Sequence, residues 1–170
     1  MTPRIENRES RIVNRESGSE QRQRISAFED LEVYQAGREF RRAMYRIAKQ
    51  LPEIENFGLA SQIRRAALSL TNNVAEGHGR YHFLDQIKFT LQSRGSLEEL
   101  LDDLNVCIDE RYLPPDEIDS LKQQGWRVRQ LIDGYVRYLR RQKDSADALG
   151  SVREESPEYS EEIDDSRFTI

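Results

Sequence analysis

Along the middle of the chain, apolar residues recur at alternating three- and four-residue steps, and turn-forming residues divide the pattern into four stretches. The clearest stretch, Leu59, Ile63, Ala66, Ala67, Leu70 and Val74, predicts one buried helix face. Gln62, Arg65, Ser69, Asn73, Glu76 and Arg80 recur at the same steps on its flank, an ordered file of hydrogen-bonding groups. Glu76-Gly77-His78-Gly79-Arg80 follows, and its glycines predict the helix stop. Upstream, a helix is expected from Asp30, an N-cap type, to Leu51, ahead of Pro52. It turns Val33, Ala36, Phe40, Ala43, Met44, Ile47 and Leu51 inward, and Gly37 on that face predicts a close helix approach. A third helix, over 81–111, carries Phe83, Ile87, Thr90, Arg94, Leu97, Leu101, Leu104 and Ile108 as a heptad seam. Beside the first half of this seam run Leu84, Leu91 and Gly95. That second line predicts wider burial there, with two readings open: a neighbouring subunit or a kink at Gly95. The fourth helix starts at Pro114-Pro115-Asp116-Glu117 and runs to about Lys143. Ile118, Leu121, Val128, Leu131, Ile132, Tyr135 and Leu139 face inward, and Trp126 falls on the opposite side.

Four amphipathic helices with short connections predict an all-α, antiparallel up-down-up-down four-helix bundle over residues 28–143. Only 36% of the 170 residues are hydrophobic, a low share that fits unfolded ends. Residues 1–27 alternate Arg, Glu, Asn and Ser and are expected to be a disordered tail of net charge +2. Residues 144–170 are expected to be a disordered acidic tail of net charge −7, and the bundle between them is neutral. The overall charge of −5 therefore does not exclude nucleic acid as a partner. The carboxylates from Glu154 to Asp165 leave two readings open, a solubilising tail or one that competes with phosphate for basic faces. A lone cysteine, Cys107, on an apolar face and no membrane-length apolar run point to a soluble, cytoplasmic protein with no membrane partner.

Catalytic chemistry finds little support. Neither His78 nor His82 has a glutamate three residues before it, so the di-iron bundle motif is absent. His78, His82 and Asp85 share helical spacing only if the helix continues through Gly79, and surface histidines near a turn explain them better. No serine or cysteine stands beside a base, and the glycines of the Gly77–Gly79 turn follow a helix where a phosphate loop precedes one. We therefore expect no enzyme, no cofactor and no metal. Binding remains. Arg38, Arg42, Arg46 and Lys49 form a basic face on the first helix, and Lys122, Arg129, Arg137 and Arg140 form another on the fourth, beside Trp126. Such faces track phosphates, and a tryptophan among them stacks on a base or packs on a neighbour. The competing reading is a solvated surface with ion pairs such as Asp133–Arg137.

Arg64-Arg65-Ala66-Ala67, Ser69 and Asn73-Val74-Ala75-Glu76-Gly77-His78-Gly79-Arg80 resemble the signature of the four-helix-bundle family of 23S rRNA intervening sequence proteins. That family includes the accessory variability determinant proteins of diversity-generating retroelements. Phe28-Glu29-Asp30-Leu31-Glu32-Val33-Tyr34, Phe57-Gly58-Leu59-Ala60-Ser61-Gln62 and Arg94-Gly95-Ser96-Leu97-Glu98-Glu99-Leu100 extend the resemblance over residues 28–143. Thr71 stands where many relatives carry proline, and His78 where many carry an aromatic residue. The resemblance implies a homopentamer with a basic surface, and for the retroelement members binding to nucleic acid and to a reverse transcriptase. The expected function is thus a non-enzymatic, oligomeric bundle binding RNA or DNA. The alternative is a protein-interaction scaffold without nucleic acid. Arg65, Ser69, Asn73, Glu76 and Arg80 match the signature residue by residue. With Glu99, expected to pair with Arg65 or Arg80, they form a partly buried network that fixes helix register or the subunit contact.

Overall fold

The computed structural model describes residues 27–154, with side chains to Leu149; most of the two expected tails lies outside the described residues. Four helices follow one another: α1 Glu32–Ala48, α2 Leu59–His78, α3 Phe83–Asp109 and α4 Pro115–Glu154. Single 3-10 turns at Phe28–Asp30 and Glu53–Glu55 precede α1 and α2. No strand occurs among the described residues. Each helix packs on two others in ring order, α1 on α2, α2 on α3, α3 on α4 and α4 on α1. This is the expected all-α four-helix bundle.

The helix ends show where local chemistry departs from pattern. Asp30 does not cap α1, because its Oδ2 turns back to accept the Ala27 N–H at 3.2 Å and Leu31 takes the cap position. At the other end α1 stops at Ala48, and Leu51 stays buried from the turn ahead of Pro52. The first N–H of α2, on Leu59, is accepted by Glu55 Oε2 at 2.9 Å, a cap supplied from the preceding 3-10 turn. The glycines after Glu76 do not act as a left-handed stop. Gly79 has φ −75°, and a Cβ on buried Gly77 would stand 3.1 Å from Phe89 Cβ and 3.2 Å from the Gln86 carbonyl. Gly77 lets the start of α3 lie against the end of α2.

The core runs the length of the bundle, with Phe40, Met44, Ile63, Leu70, Leu97, Leu100, Leu104, Ile118 and Ile132 essentially inaccessible. The heptad seam of α3 holds at Ile87, Thr90, Leu97, Leu101 and Leu104 but fails at two positions. Arg94 lies at the rim and pairs with Asp133 of α4 at 3.3 Å, and Ile108 is 41% exposed. A second seam beside it, Ser93, Ser96, Leu100, Asp103 and Cys107, is buried against α2. The second half of α3 is therefore the more widely buried, the reverse of the expectation. Leu84 and Leu91, the line expected to be buried, are 63% and 39% exposed. The helix is continuous through Gly95, around which there is open space.

α4 runs eleven residues into the segment expected to be disordered. Asp144–Leu149 are all exposed, so no core holds this stretch. Local terms do: alanines favour helix, Lys143 and Asp147 pair at 2.7 Å one turn apart, and Ser145 Oγ donates to the Arg141 carbonyl.

Candidate nucleic-acid interface

The two basic faces expected from the sequence differ in how far carboxylates already occupy them. On α4, Arg129 pairs with Glu98 of α3 at 2.9 Å, and its guanidinium lies 5.4 Å from the centre of the Trp126 ring. Lys122 donates to Asn105 Oδ1 at 2.7 Å. Asp133 pairs with Arg94 across the bundle and not with Arg137 along its own helix. Arg137 and Arg140 are exposed and form no ion pair among the described residues. Trp126, 48% exposed, lines a cleft of about 270 Å³ together with Glu98, Leu101, Asp102, Asn105 and Lys122. Two carboxylates and a cation already over the ring leave this tryptophan in poor surroundings for a phosphate-bearing strand.

The α1 face is different. Arg38, Arg42, Arg46 and Lys49 are all exposed, and among the described residues their one ion pair joins Arg42 to Glu39 of the preceding turn at 3.2 Å. Arg41 and Tyr45, which the sequence reading passed over, complete the site. They stand with Arg42, Arg46 and Lys49 around a cleft of about 300 Å³ whose wall carries no carboxylate. Arg41 is half-buried and donates to Thr71 Oγ1 of α2 at 2.6 Å, so its guanidinium is held in place before any ligand arrives. Thr71 in turn donates to the Leu68 carbonyl. The signal was present: Arg41 and Tyr45 are one turn apart, at the border between the inner and outer stripes of α1.

The polar file of α2 is only partly a network. Asn73 donates to Ser69 Oγ and its carbonyl, and Ser96 of α3 donates to Ser69 Oγ at 2.9 Å, so Ser69 is one of the members that cross between helices. Arg65 reaches Ser61 of its own helix. Glu76 and Arg80 pair with each other at the surface, and the Arg80 guanidinium lies over Phe89. Glu99 pairs with neither arginine, because the α2-facing positions of α3 are Ser96 and Asp103 and Glu99 stands exposed beside them. An exposed pair contributes little. Glu76→Ala is accordingly expected to move Tm by less than about 3 °C in a thermal melt.

The polar contact that does reach the interior joins Gln62, a member of the same file, to Asp103. Gln62 Nε2 donates to Asp103 Oδ1 at 2.8 Å, while Oδ2 is buried without a partner. Burial first, then the nearby charges of Asp102 and Glu99, push the Asp103 carboxyl up to about 6. Burial likewise raises the Cys107 thiol to about 11, which makes it an inert core residue. Among the described residues no three His, Cys, Asp or Glu side chains converge as a metal site would require. None of the described helices is long and apolar enough to cross a membrane.

Residues 29–134 match the family model described as 23S rRNA-intervening sequence protein. The chain belongs to that family. No curated protein matches it. A solved structure described as a protein with unknown function from the S23 ribosomal protein family of Bacteroides thetaiotaomicron VPI-5482 is 20% identical. The match covers 61% of this chain and 97% of that one with a TM-score of 0.58, a likeness of fold. In this family member the matched region spans all of α1 to α3 and α4 as far as Gly134.

Proposed function

We propose that this protein is a non-enzymatic, homo-oligomeric bundle that binds the phosphate backbone of RNA or DNA along α1. One observation carries the reading: the cations of α1 surround a cleft with no carboxylate in its wall, whereas Arg129 on α4 is neutralised across the α3–α4 boundary. Cations at helical spacing with a pre-positioned arginine meet the geometric need of a phosphate chain, and release of condensed counterions supplies the affinity. Assembly as a pentamer, a cytoplasmic setting and an accessory role beside a reverse transcriptase, as in the retroelement members, belong to this reading through the family resemblance.

Binding of a labelled RNA, followed by fluorescence anisotropy across a salt series, tests it. Arg38→Glu, Arg46→Glu and Lys49→Glu combined are expected to lower affinity at least about tenfold and to flatten the salt dependence. Arg129→Glu should change affinity far less. Equal losses from both variants, or none from the α1 variant, would sink the assignment. The alternative, a scaffold that holds a protein partner and no nucleic acid, draws support from the exposed line of Leu84 and Leu91 on α3. It predicts no RNA binding at any salt concentration.

A further inference from the structure

The most exposed large apolar side chain of the described residues is Phe57, 97% accessible, with Ile54 beside it in the α1–α2 connection at 84%. A single exposed apolar residue on a loose loop would call for no explanation. This connection is braced on both sides of the ring. Glu55 uses one carboxylate oxygen to accept the Leu59 N–H and the other to accept the Tyr112 hydroxyl at 2.8 Å, which ties the connection to the α3–α4 turn. Those two donors also hold the Glu55 carboxyl below its usual value. On the other side Arg64 donates to the Asn56 carbonyl at 3.0 Å, and the Gly58 N–H returns to the Glu55 carbonyl. Leu51 and Leu59, at the two ends of the connection, turn inward, and Phe57 does not.

Position gives the ring a use. The connection begins where α1 ends, so Phe57 stands at the same end of the bundle as Arg46 and Lys49 of the basic cleft, with Arg64 next to it. Glu53 is the exposed carboxylate among these cations. An aromatic face beside a row of cations is how a protein holds an unpaired base while its backbone is gripped by charge. Trp126 lacks this setting, since Arg129 and the Glu98 and Asp102 carboxylates already surround it. Tyr81, 92% exposed, lies at the opposite end, in the α2–α3 connection.

We infer that Phe57 is a stacking platform for an unpaired base, so that the nucleic acid held by α1 is single-stranded or looped near this end. The inference rests on the assignment of α1 as the phosphate-binding face. A duplex offers no free base to the ring and should engage only the cations.

Three RNAs of equal length test this on the full chain: a single strand, a hairpin with an open loop, and a blunt duplex, each with 2-aminopurine at a defined position. Phe57→Ala is expected to weaken single-strand and loop binding roughly tenfold and duplex binding little. Phe57→Trp should restore the loss and the 2-aminopurine quenching, Phe57→Leu should restore neither, and Tyr81→Ala should behave as wild type. Equal binding by Phe57→Ala and wild type on all three RNAs overturns the inference. So does a loss that appears only together with a smaller oligomer in sedimentation, which would make Phe57 a contact between copies. If the α1 charge reversals change nothing while Phe57→Ala still weakens loop binding, the stacking stands and the α1 assignment falls. If no RNA binds, both fall.

Discussion

Asp103→Asn is expected to make the protein more stable at pH 7.5 and to leave it unchanged at pH 4. Asp103 is 2% exposed, and its one hydrogen bond comes from Gln62. Among the described residues the charged groups acting on it are Asp102 and Glu99, both acidic, and no cation opposes them. A buried carboxylate in such surroundings favours its neutral form. The folded carboxyl titrates at about 6, against about 3.9 for an unperturbed aspartate. The folded chain therefore binds the proton more tightly than the unfolded chain. That contribution is complete below the unfolded value and is lost as pH rises through about 6. At one pKa unit per 1.36 kcal/mol, the charged state costs on the order of 2–3 kcal/mol at neutral pH. Asparagine keeps the oxygen that Gln62 needs and removes the charge. Like the protonated acid, it leaves one polar end without a partner, so the two should be equally stable in acid. Urea unfolding of both proteins between pH 4 and 8 measures the difference directly. A gap that does not change with pH would mean that Asp103 carries no such burden.

The same residue shows how much of the molecule was legible. The leucine-rich seam of α3 and the apolar face of α2 could be read because Leu and Ile announce burial, and they placed four helices correctly in order. The second seam of α3 is made of Ser93, Ser96, Leu100, Asp103 and Cys107, in which the small or polar Ser93, Ser96 and Asp103 break the line for a hydropathy pattern. It is nonetheless where α2 comes close. Ser93 Oγ donates to the Leu70 carbonyl at 2.6 Å, and a larger side chain would hold the helices apart. Asp103 follows Ser96 by seven residues and Leu100 by three, a spacing that signals its burial once the small residues are counted as core. The basic face of α1 was legible because charge at helical spacing needs no partner to be seen. The neutralisation of Arg129 was not, since Glu98 is thirty-one residues away and only the fold brings it near. Phe57 escaped notice for a related reason. Whether an apolar residue in a turn is tucked in or presented depends on Glu55, Tyr112 and Arg64, which come from three parts of the chain.

Two glycines on inner helix faces make opposite predictions that one experiment separates. Gly37 of α1 is buried, but a Cβ there would meet Thr71 Cγ2 at 3.6 Å and Leu70 Cγ at 4.0 Å, ordinary contact distances. Glycine inside a helix costs roughly 0.5–1 kcal/mol relative to alanine, so Gly37→Ala should be neutral or stabilising by up to about that amount. Gly125 of α4 is where three helices meet. A Cβ there would stand 2.7 Å from Leu101 Cδ2 and 3.3 Å from Phe40 Cζ. Leu101 is able to swing its methyl aside, but Phe40 is 1% exposed and packed within the core, so its ring yields less readily. The two methyl groups of valine extend the clash beyond what a rotated leucine relieves. Gly125→Val should then force α4 away from α1 and α3 at a cost of about 3 kcal/mol. Because Phe40 sits on α1 opposite the exposed cations, that displacement also shifts the helix carrying the basic cleft. Equilibrium unfolding of the two variants should place them on opposite sides of wild type, or Gly37→Ala level with it. A Gly125→Val protein as stable as wild type would show that the helices do not approach this closely at Gly125.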